Sequence, residues 1–169
     1  MHDHLALLKN LKPMIEERDT VSDMEIILSQ ALLMDAGSIT FKAIKAGEIG
    51  DILAGLVALA HSALLALAMQ EKGIIEPTGE SRQEYQMLAI MRLLSEKIHH
   101  CSSGKAKDYC GLYHLCASLT SGFLNADFDK AFQVYHDWYK ACQGLRHDAN
   151  KRHGQHKSTC PDLTDCLYE

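Results

Sequence analysis

The sequence lacks an excess of basic charge. It contains 17 lysines and arginines against 22 aspartates and glutamates, which gives a net charge of −5 at pH 7. A nucleic-acid backbone is normally met by a basic surface, so this balance gives no reason to expect nucleic-acid binding. Any nucleotide that the chain binds is expected to be a small molecule whose charge is screened by a metal ion.

The sequence also lacks a recognisable signal peptide and any C-x-x-C spacing. No N-terminal segment combines a basic start with an apolar stretch, and all six cysteines lie in the second half of the chain. Reduced thiols and a cytoplasmic location are therefore expected. The alternative is a structural zinc ion, held through Cys110 and His114, four residues apart on a predicted helix, or through cysteines 160 and 166 and the histidines before them.

Length and hydrophobic spacing predict one all-α domain over residues 1–154, followed by a loose polar tail at 155–169. A chain of 169 residues with 47% hydrophobic residues can bury one sizeable core. Apolar residues recur at helical spacing throughout, and a linker rich in glycine and proline at 73–80 divides them. The expected fold is a bundle of about five to six helices.

Local signals predict where the central helices begin and end. Ser22 and Glu25 have the spacing of a capping box, which predicts a second helix from Asp23. Gly47 is a stop signal, and the third helix is expected from Glu48 to residue 72. The short connection predicts antiparallel packing. Further helices are expected at 82–100 and 108–121. A sixth helix is expected to be capped by Asn125 or Asp127, and the aromatic residues along one of its faces are predicted to belong to the core.

The longest apolar stretch runs from Ile52 to Met69. It is long enough to suggest a membrane span. Gly55, His61 and Ser62 interrupt it, however, and no second span follows. We therefore expect a buried helix in a bundle or at a dimer interface, and no membrane association.

Glu48 and Asp51 stand at the start of this apolar helix. Their i,i+3 spacing puts both carboxylates on one helix face, roughly 5–6 Å apart, where they repel each other unless a cation lies between them. Oxygen ligands of this kind favour magnesium or manganese. The alternative is that both acids simply face the positive end of the helix dipole.

The order Met-Asp-Ala-Gly-Ser at 34–38, a linker, and then Glu-Ile-Gly-Asp at 48–51 before a long apolar helix resembles the all-α nucleoside triphosphate pyrophosphohydrolases, which include MazG-like proteins and dimeric dUTPases. Those enzymes carry an E-x-x-E pair on one helix and an E-x-x-D pair on the next. Asp35 matches the first acid, Glu48 the third and Asp51 the fourth. Ser38 stands where the second acid is expected, which predicts weaker binding of the metal.

The resemblance implies a function and a set of site residues. The implied function is magnesium-dependent hydrolysis of a pyrimidine or deoxypyrimidine nucleoside triphosphate to the monophosphate and pyrophosphate, with Mn²⁺ as an alternative metal. Asp35, Glu48 and Asp51 would hold the metal, and Glu48 and Asp51 would be catalytic. A later segment that looks like the phosphate-contacting helix of these enzymes implies five phosphate-binding residues: Lys140, Arg146, Asn150, Lys151 and Arg152.

Two other readings of the sequence stay open. The basic residues after position 140 are also what a solvated helix end looks like. The small residues of the apolar helix, such as Ala54, Gly55 and Ala58, would allow close approach of a second copy. The chain could then be a non-catalytic helical dimer, or a nucleotide-binding protein with a degenerate metal site. In either case a homo-oligomer is expected.

Overall fold

The computed structural model describes residues 2–11, 22–70, 73–75, 86–148 and 160–168. These parts of the chain form an all-α bundle, as predicted. The helices are α1 (His2–Lys9), α2 (Asp23–Ala46), α3 (Ile49–Met69), α4 (Met87–His100), α5 (Ala106–Gly122) and α6 (Phe128–Asp148). Single turns of 3-10 helix lie at Cys101–Ser103 and Thr164–Cys166. The first residues of the helix predicted at 82–100, up to position 85, fall outside the described residues.

The predicted signals at the two ends of α2 are confirmed. The Ser22 hydroxyl accepts from the Glu25 amide at 3.3 Å, and the Glu25 carboxylate accepts from the Ser22 amide at 2.6 Å, which completes the capping box. At the other end Gly47 adopts φ 77°, the left-handed conformation that glycine reaches without steric cost. The predicted cap of α6 is also present, because Asp127 accepts from the Lys130 amide at 3.0 Å.

α2 and α3 form an antiparallel hairpin with a very short connection. Its register is set by the close approach of Gly55 to Thr40, where a Cβ on Gly55 would lie 2.9 Å from the Thr40 Cα. Only glycine allows this approach. The Thr40 hydroxyl donates to the Ala36 carbonyl at 2.8 Å, so it stays satisfied although it is buried. Thr40 of α2 therefore lies directly opposite Gly55 of α3. This pair fixes which other residues of the two helices face each other.

α3 is the central helix of the bundle. It contacts α1, α2, α5 and α6 of its own chain, and most of its residues are buried. The small residues that could have served a dimer, Ala54, Gly55 and Ala58, are covered within the chain. Of the two settings expected for this helix, a bundle or a dimer interface, the structure shows the bundle. By length and composition alone, α2 and α3 could each cross a membrane, but α3 is packed as a core helix.

Residues 160–168 pack against the turn between α5 and α6, whereas the sequence predicted a loose tail. Leu163 and Cys166 are buried. The Asp127 amide donates to the Cys166 carbonyl at 2.8 Å, and the Tyr168 amide donates to the Asn125 carbonyl at 2.9 Å. Two apolar residues three apart thus anchor a short polar stretch, a pattern too brief to stand out in the sequence. The packed segment brings Cys160 beside α2 and α3.

Candidate functional site

A cavity of about 530 Å³ lies between α2, α3 and α6. We call it the aromatic cavity. Its polar groups include Asp35 on α2, His61 and Ser62 on α3, Gln143 on α6, and Cys160 of the packed segment. Its rings come from α6, through Tyr135, Trp138 and Tyr139.

The aromatic wall of this cavity results from the spacing of α6. Positions 135, 138 and 139 share one face of a helix, and the face turns towards α3. The rings of Tyr135 and Trp138 have centroids 5.3 Å apart, and the ring of His61 lies 4.6 Å from that of Tyr139. Phe132 one turn earlier is fully buried, so the predicted core role holds there. Trp138 and Tyr139 are only partly buried and line the cavity instead.

His61 is the most unusual titratable group of the cavity. Its Nε2 lies 3.3 Å from Nδ1 of His136, and both side chains are buried. Burial, with a smaller contribution from the neighbouring His136, lowers the pKa of His61 to about 3. Burial also lowers the pKa of His136. His61 is therefore a neutral imidazole at neutral pH, able to offer hydrogen bonds but no charge.

The Asp35 carboxylate is exposed and lines the aromatic cavity. Burial raises the pKa of the Tyr135 hydroxyl, and the negative charge of Asp35 adds to that effect. Burial likewise raises the pKa of the Cys160 thiol, with contributions from Asp51 and then Asp35. Asp51 lies two helical turns before Ala58, which lines the cavity, so Asp51 shares that side of α3 and lies on the same flank of the α2–α3 hairpin as Asp35.

Asp35 and Asp51 are nevertheless apart along the hairpin. The register at Thr40 and Gly55 puts Asp35 opposite the middle of α3, about nine residues beyond Asp51, or roughly 13 Å at 1.5 Å per residue. In the described part of the chain, no three His, Cys, Asp or Glu side chains form a group that could hold a metal ion. The predicted set of Asp35, Glu48 and Asp51 is thus not brought together as one cluster.

Ser38, the departure from the resemblance, lies on another flank of α2. It lines a separate groove between α2 and α4, together with Phe41 and Lys42. This groove has a volume of about 1060 Å³ and is mostly apolar. Position 38 therefore does not share a cavity with Asp35, and a carboxylate there would not complete the predicted four-acid set.

Glu48 and Asp51 stay together at the start of α3. Glu48 is the N-cap residue and makes no side-chain cap hydrogen bond, while Asp51 lies in the first turn. Both side chains are exposed. Mg²⁺ is commonly held by one or two carboxylates together with water and substrate phosphates, so this pair suits a metal that arrives with a nucleotide. The pair equally suits the helix dipole, so both readings remain open.

Lys140 is the predicted phosphate-binding residue whose side chain the structure describes. It is exposed and lines a second cavity of about 780 Å³. This cavity adjoins the aromatic cavity, because Leu32, Ser62 and Tyr139 line both. Arg146 lies in the last turns of α6. Asn150, Lys151 and Arg152 fall outside the described residues.

The proposed zinc pair on α5 has other partners. The Cys110 sulfur accepts from the Ile75 amide at 3.4 Å, and His114 Nε2 lies 3.0 Å from the Ile75 carbonyl. Both side chains thus hold the short segment 73–75 against α5. Their i,i+4 spacing is explained by this contact.

Sequence reasoning missed the role of His61, Cys142 and Cys160 in forming the aromatic cavity. A faint signal was present, since His61 and Ser62 interrupt an otherwise apolar helix and therefore mark the side of α3 that meets polar groups. Cys160 carried no local signal.

Comparison of the chain with protein-family models, with curated proteins and with solved structures found no match.

Proposed function

We propose that the chain is a magnesium-dependent nucleoside triphosphate pyrophosphohydrolase, which converts its substrate to the monophosphate and pyrophosphate. The observation that carries this proposal is the layout of one flank of the α2–α3 hairpin. The aromatic cavity lies at one end of this flank and the Glu48–Asp51 pair at the other. Asp35 in the cavity and Asp51 in the pair are offset by roughly 13 Å along the hairpin, a gap that a nucleoside carrying phosphates would bridge.

In this arrangement the nucleoside occupies the aromatic cavity and the phosphates extend towards Glu48 and Asp51. The aromatic rings of α6 provide stacking surfaces for a base. A divalent ion held by the two carboxylates would neutralise phosphate charge and lower the pKa of a bound water. Whichever carboxylate oxygen is free accepts the proton of the attacking water. Water attacks the α-phosphorus, and the bond to the bridging oxygen breaks to release pyrophosphate.

The residues of the cavity support the binding step in two ways. The neutral His61 adds no positive charge that would compete with the metal for phosphate. Lys140, in the adjoining cavity, offers a cation that can bind an anionic oxygen at the substrate's exposed side. Lys140 is a candidate only for such an outer contact, because it does not line the aromatic cavity itself.

The proposal is tested by incubating the purified protein with each common ribo- and deoxyribonucleoside triphosphate and measuring pyrophosphate. We expect release with Mg²⁺ or Mn²⁺, and none when EDTA is present. The other product should be the monophosphate, identified by chromatography. Release of inorganic phosphate with a diphosphate as second product would contradict attack at the α-phosphorus. If no nucleotide releases pyrophosphate, the proposed reaction is contradicted, and the alternative of a non-catalytic nucleotide-binding protein is favoured.

We also propose that the expected homo-oligomer forms through the outer face of α2. That face exposes Met24, Ile27, Leu28 and Met34, at 57–62% of their surface. Monomers seldom expose apolar patches of this kind. α2 begins with Asp23 and ends with Lys42 and Lys45 exposed, so an antiparallel second copy would bring opposite charges together.

Light scattering tests this contact. We expect the mass of a dimer for the wild-type protein, and the mass of the 18.8 kDa monomer for Leu28→Lys, because a buried unpaired ammonium is costly. Val134→Lys is the matched control, since Val134 is an exposed apolar residue on α6. A monomeric wild-type protein, or equal masses for the two variants, would contradict an interface on α2.

A further inference from the structure

The aromatic cavity contains one acid among its described lining residues, Asp35, and neither lysine nor arginine. We propose that Asp35 recognises an exocyclic amino group of the nucleobase, so that the protein selects amino-bearing bases over bases with a keto group in that place. This inference rests on the proposed function, because it assumes that a nucleoside occupies the cavity. It gives Asp35 a recognition role in place of the metal-binding role that the sequence suggested.

The first support is the position of the carboxylate relative to the rings. Asp35 lines the cavity together with Tyr135 and Cys160, so its carboxylate borders the space that a ligand would take. A base stacked against Trp138 or Tyr139 would present its edge to the surrounding polar groups. Among the described lining residues Asp35 is the one carboxylate, and His61 is neutral.

The second support is the chemistry of that charge. An ionised carboxylate accepts hydrogen bonds and cannot donate them. An amino group of cytosine, adenine or guanine satisfies it, whereas a keto oxygen in the same place would face it with a second acceptor. Sites built to bind a donor reject the analogue that lacks it, because the bound analogue displaces water from the acceptor and leaves it unpaired. A carboxylate in this setting therefore discriminates between bases.

The third support is the distance from the other acids. Asp35 lies roughly 13 Å along the hairpin from Asp51, which is too far for both to hold one ion. It belongs to the cavity that would take the base, and Glu48 and Asp51 belong to the end that would take the phosphates. Asp35 would then recognise the base, whereas Glu48 and Asp51 would bind the metal and take part in hydrolysis.

The chain provides its own probe for this inference, because Trp138 is its single tryptophan and lines the cavity. We would titrate metal-free protein with cytidine and uridine 5′-monophosphates, and with adenosine and inosine 5′-monophosphates, while following tryptophan fluorescence. Calorimetry would run in parallel to detect binding that leaves the fluorescence unchanged. Within each pair the first member carries an amino group that the second lacks. We expect the amino-bearing member to bind about tenfold tighter in at least one pair.

Asp35→Asn separates recognition from general packing. Asparagine has the same shape and can donate, so we expect the preference within that pair to disappear or reverse. Asp129→Asn is the control, because Asp129 is an exposed aspartate of α6 that does not line the aromatic cavity. It should keep the wild-type preference. Circular dichroism confirms that both variants are folded.

The inference is overturned if neither pair is discriminated, if no nucleotide binds, or if Asp35→Asn keeps the wild-type preference. It is also overturned if tetramethylammonium binds in the cavity and the nucleotides do not, since rings and a carboxylate can also hold an organic cation. Selective binding without any hydrolysis would support the role of Asp35 and refute the proposed reaction. Hydrolysis without base preference would support the proposed reaction and refute the role of Asp35.

Discussion

Replacing Asp51 by asparagine is expected to lower kcat/KM for the best triphosphate by about 100-fold or more. Asparagine keeps the size of the side chain but removes the charge that binds the metal and accepts a proton. The effect should fall mainly on kcat, because the base would still occupy the aromatic cavity. Steady-state pyrophosphate release at saturating Mg²⁺ measures it.

Asp129→Asn is the matched control for this variant. Asp129 and Asp51 are both exposed aspartates in the first turn of a long helix, α6 in one case and α3 in the other. If Asp51 acts only through the helix dipole, the two substitutions should each cost about 0.3–1 kcal/mol of stability and leave catalysis similar. A large loss of activity in Asp51→Asn alone, with comparable melting temperatures, would instead support metal binding.

Replacing His61 by glutamine is expected to make the protein markedly less sensitive to acid. The pKa of His61 is about 3 in the folded chain, against an ordinary value of 6.5. Between these values the unfolded chain binds a proton that the folded chain does not, so the folded state loses stability as the pH falls below 6.5. This effect should cost the wild-type protein about 2–3 kcal/mol between pH 7 and pH 4.5.

Urea unfolding at several pH values between 7 and 4.5 measures this difference. Glutamine at position 61 can still bond to His136 but does not titrate, so the variant should show a much shallower slope of unfolding free energy against pH. His100→Gln is the control, because His100 is exposed on α4 and should keep the wild-type slope. Equal slopes for wild type and His61→Gln would show that His61 does not carry the acid sensitivity.

The sequence predicted those features that depend on short-range chemistry. The capping box at Ser22 and Glu25, the stop at Gly47 and the cap at Asp127 all depend on residues within a few positions of one another, and all are present. The buried character of α3 followed from its composition. The all-α bundle could therefore be predicted from the order of apolar helices and breaks.

The features that the sequence could not predict depend on how helices align in space. Asp35 and Ser38 are three residues apart, yet they line different cavities, because α2 lies between two neighbours and turns one side to each. The offset between Asp35 and Asp51 follows from the contact of Gly55 with Thr40, which no local pattern encodes. Cys160 reaches the aromatic cavity only because a distant apolar pair, Leu163 and Cys166, anchors the segment that carries it.

The contact between Gly55 and Thr40 has a consequence for which ligands can use the whole flank. Because the two helices meet backbone to side chain at this point, neither can slide along the other, and the gap between the aromatic cavity and the start of α3 is fixed. A molecule must be long enough to bridge that gap. The hairpin would thus set a minimum length: a nucleoside held by its base falls short of the carboxylates, and the phosphates of a nucleotide extend to them.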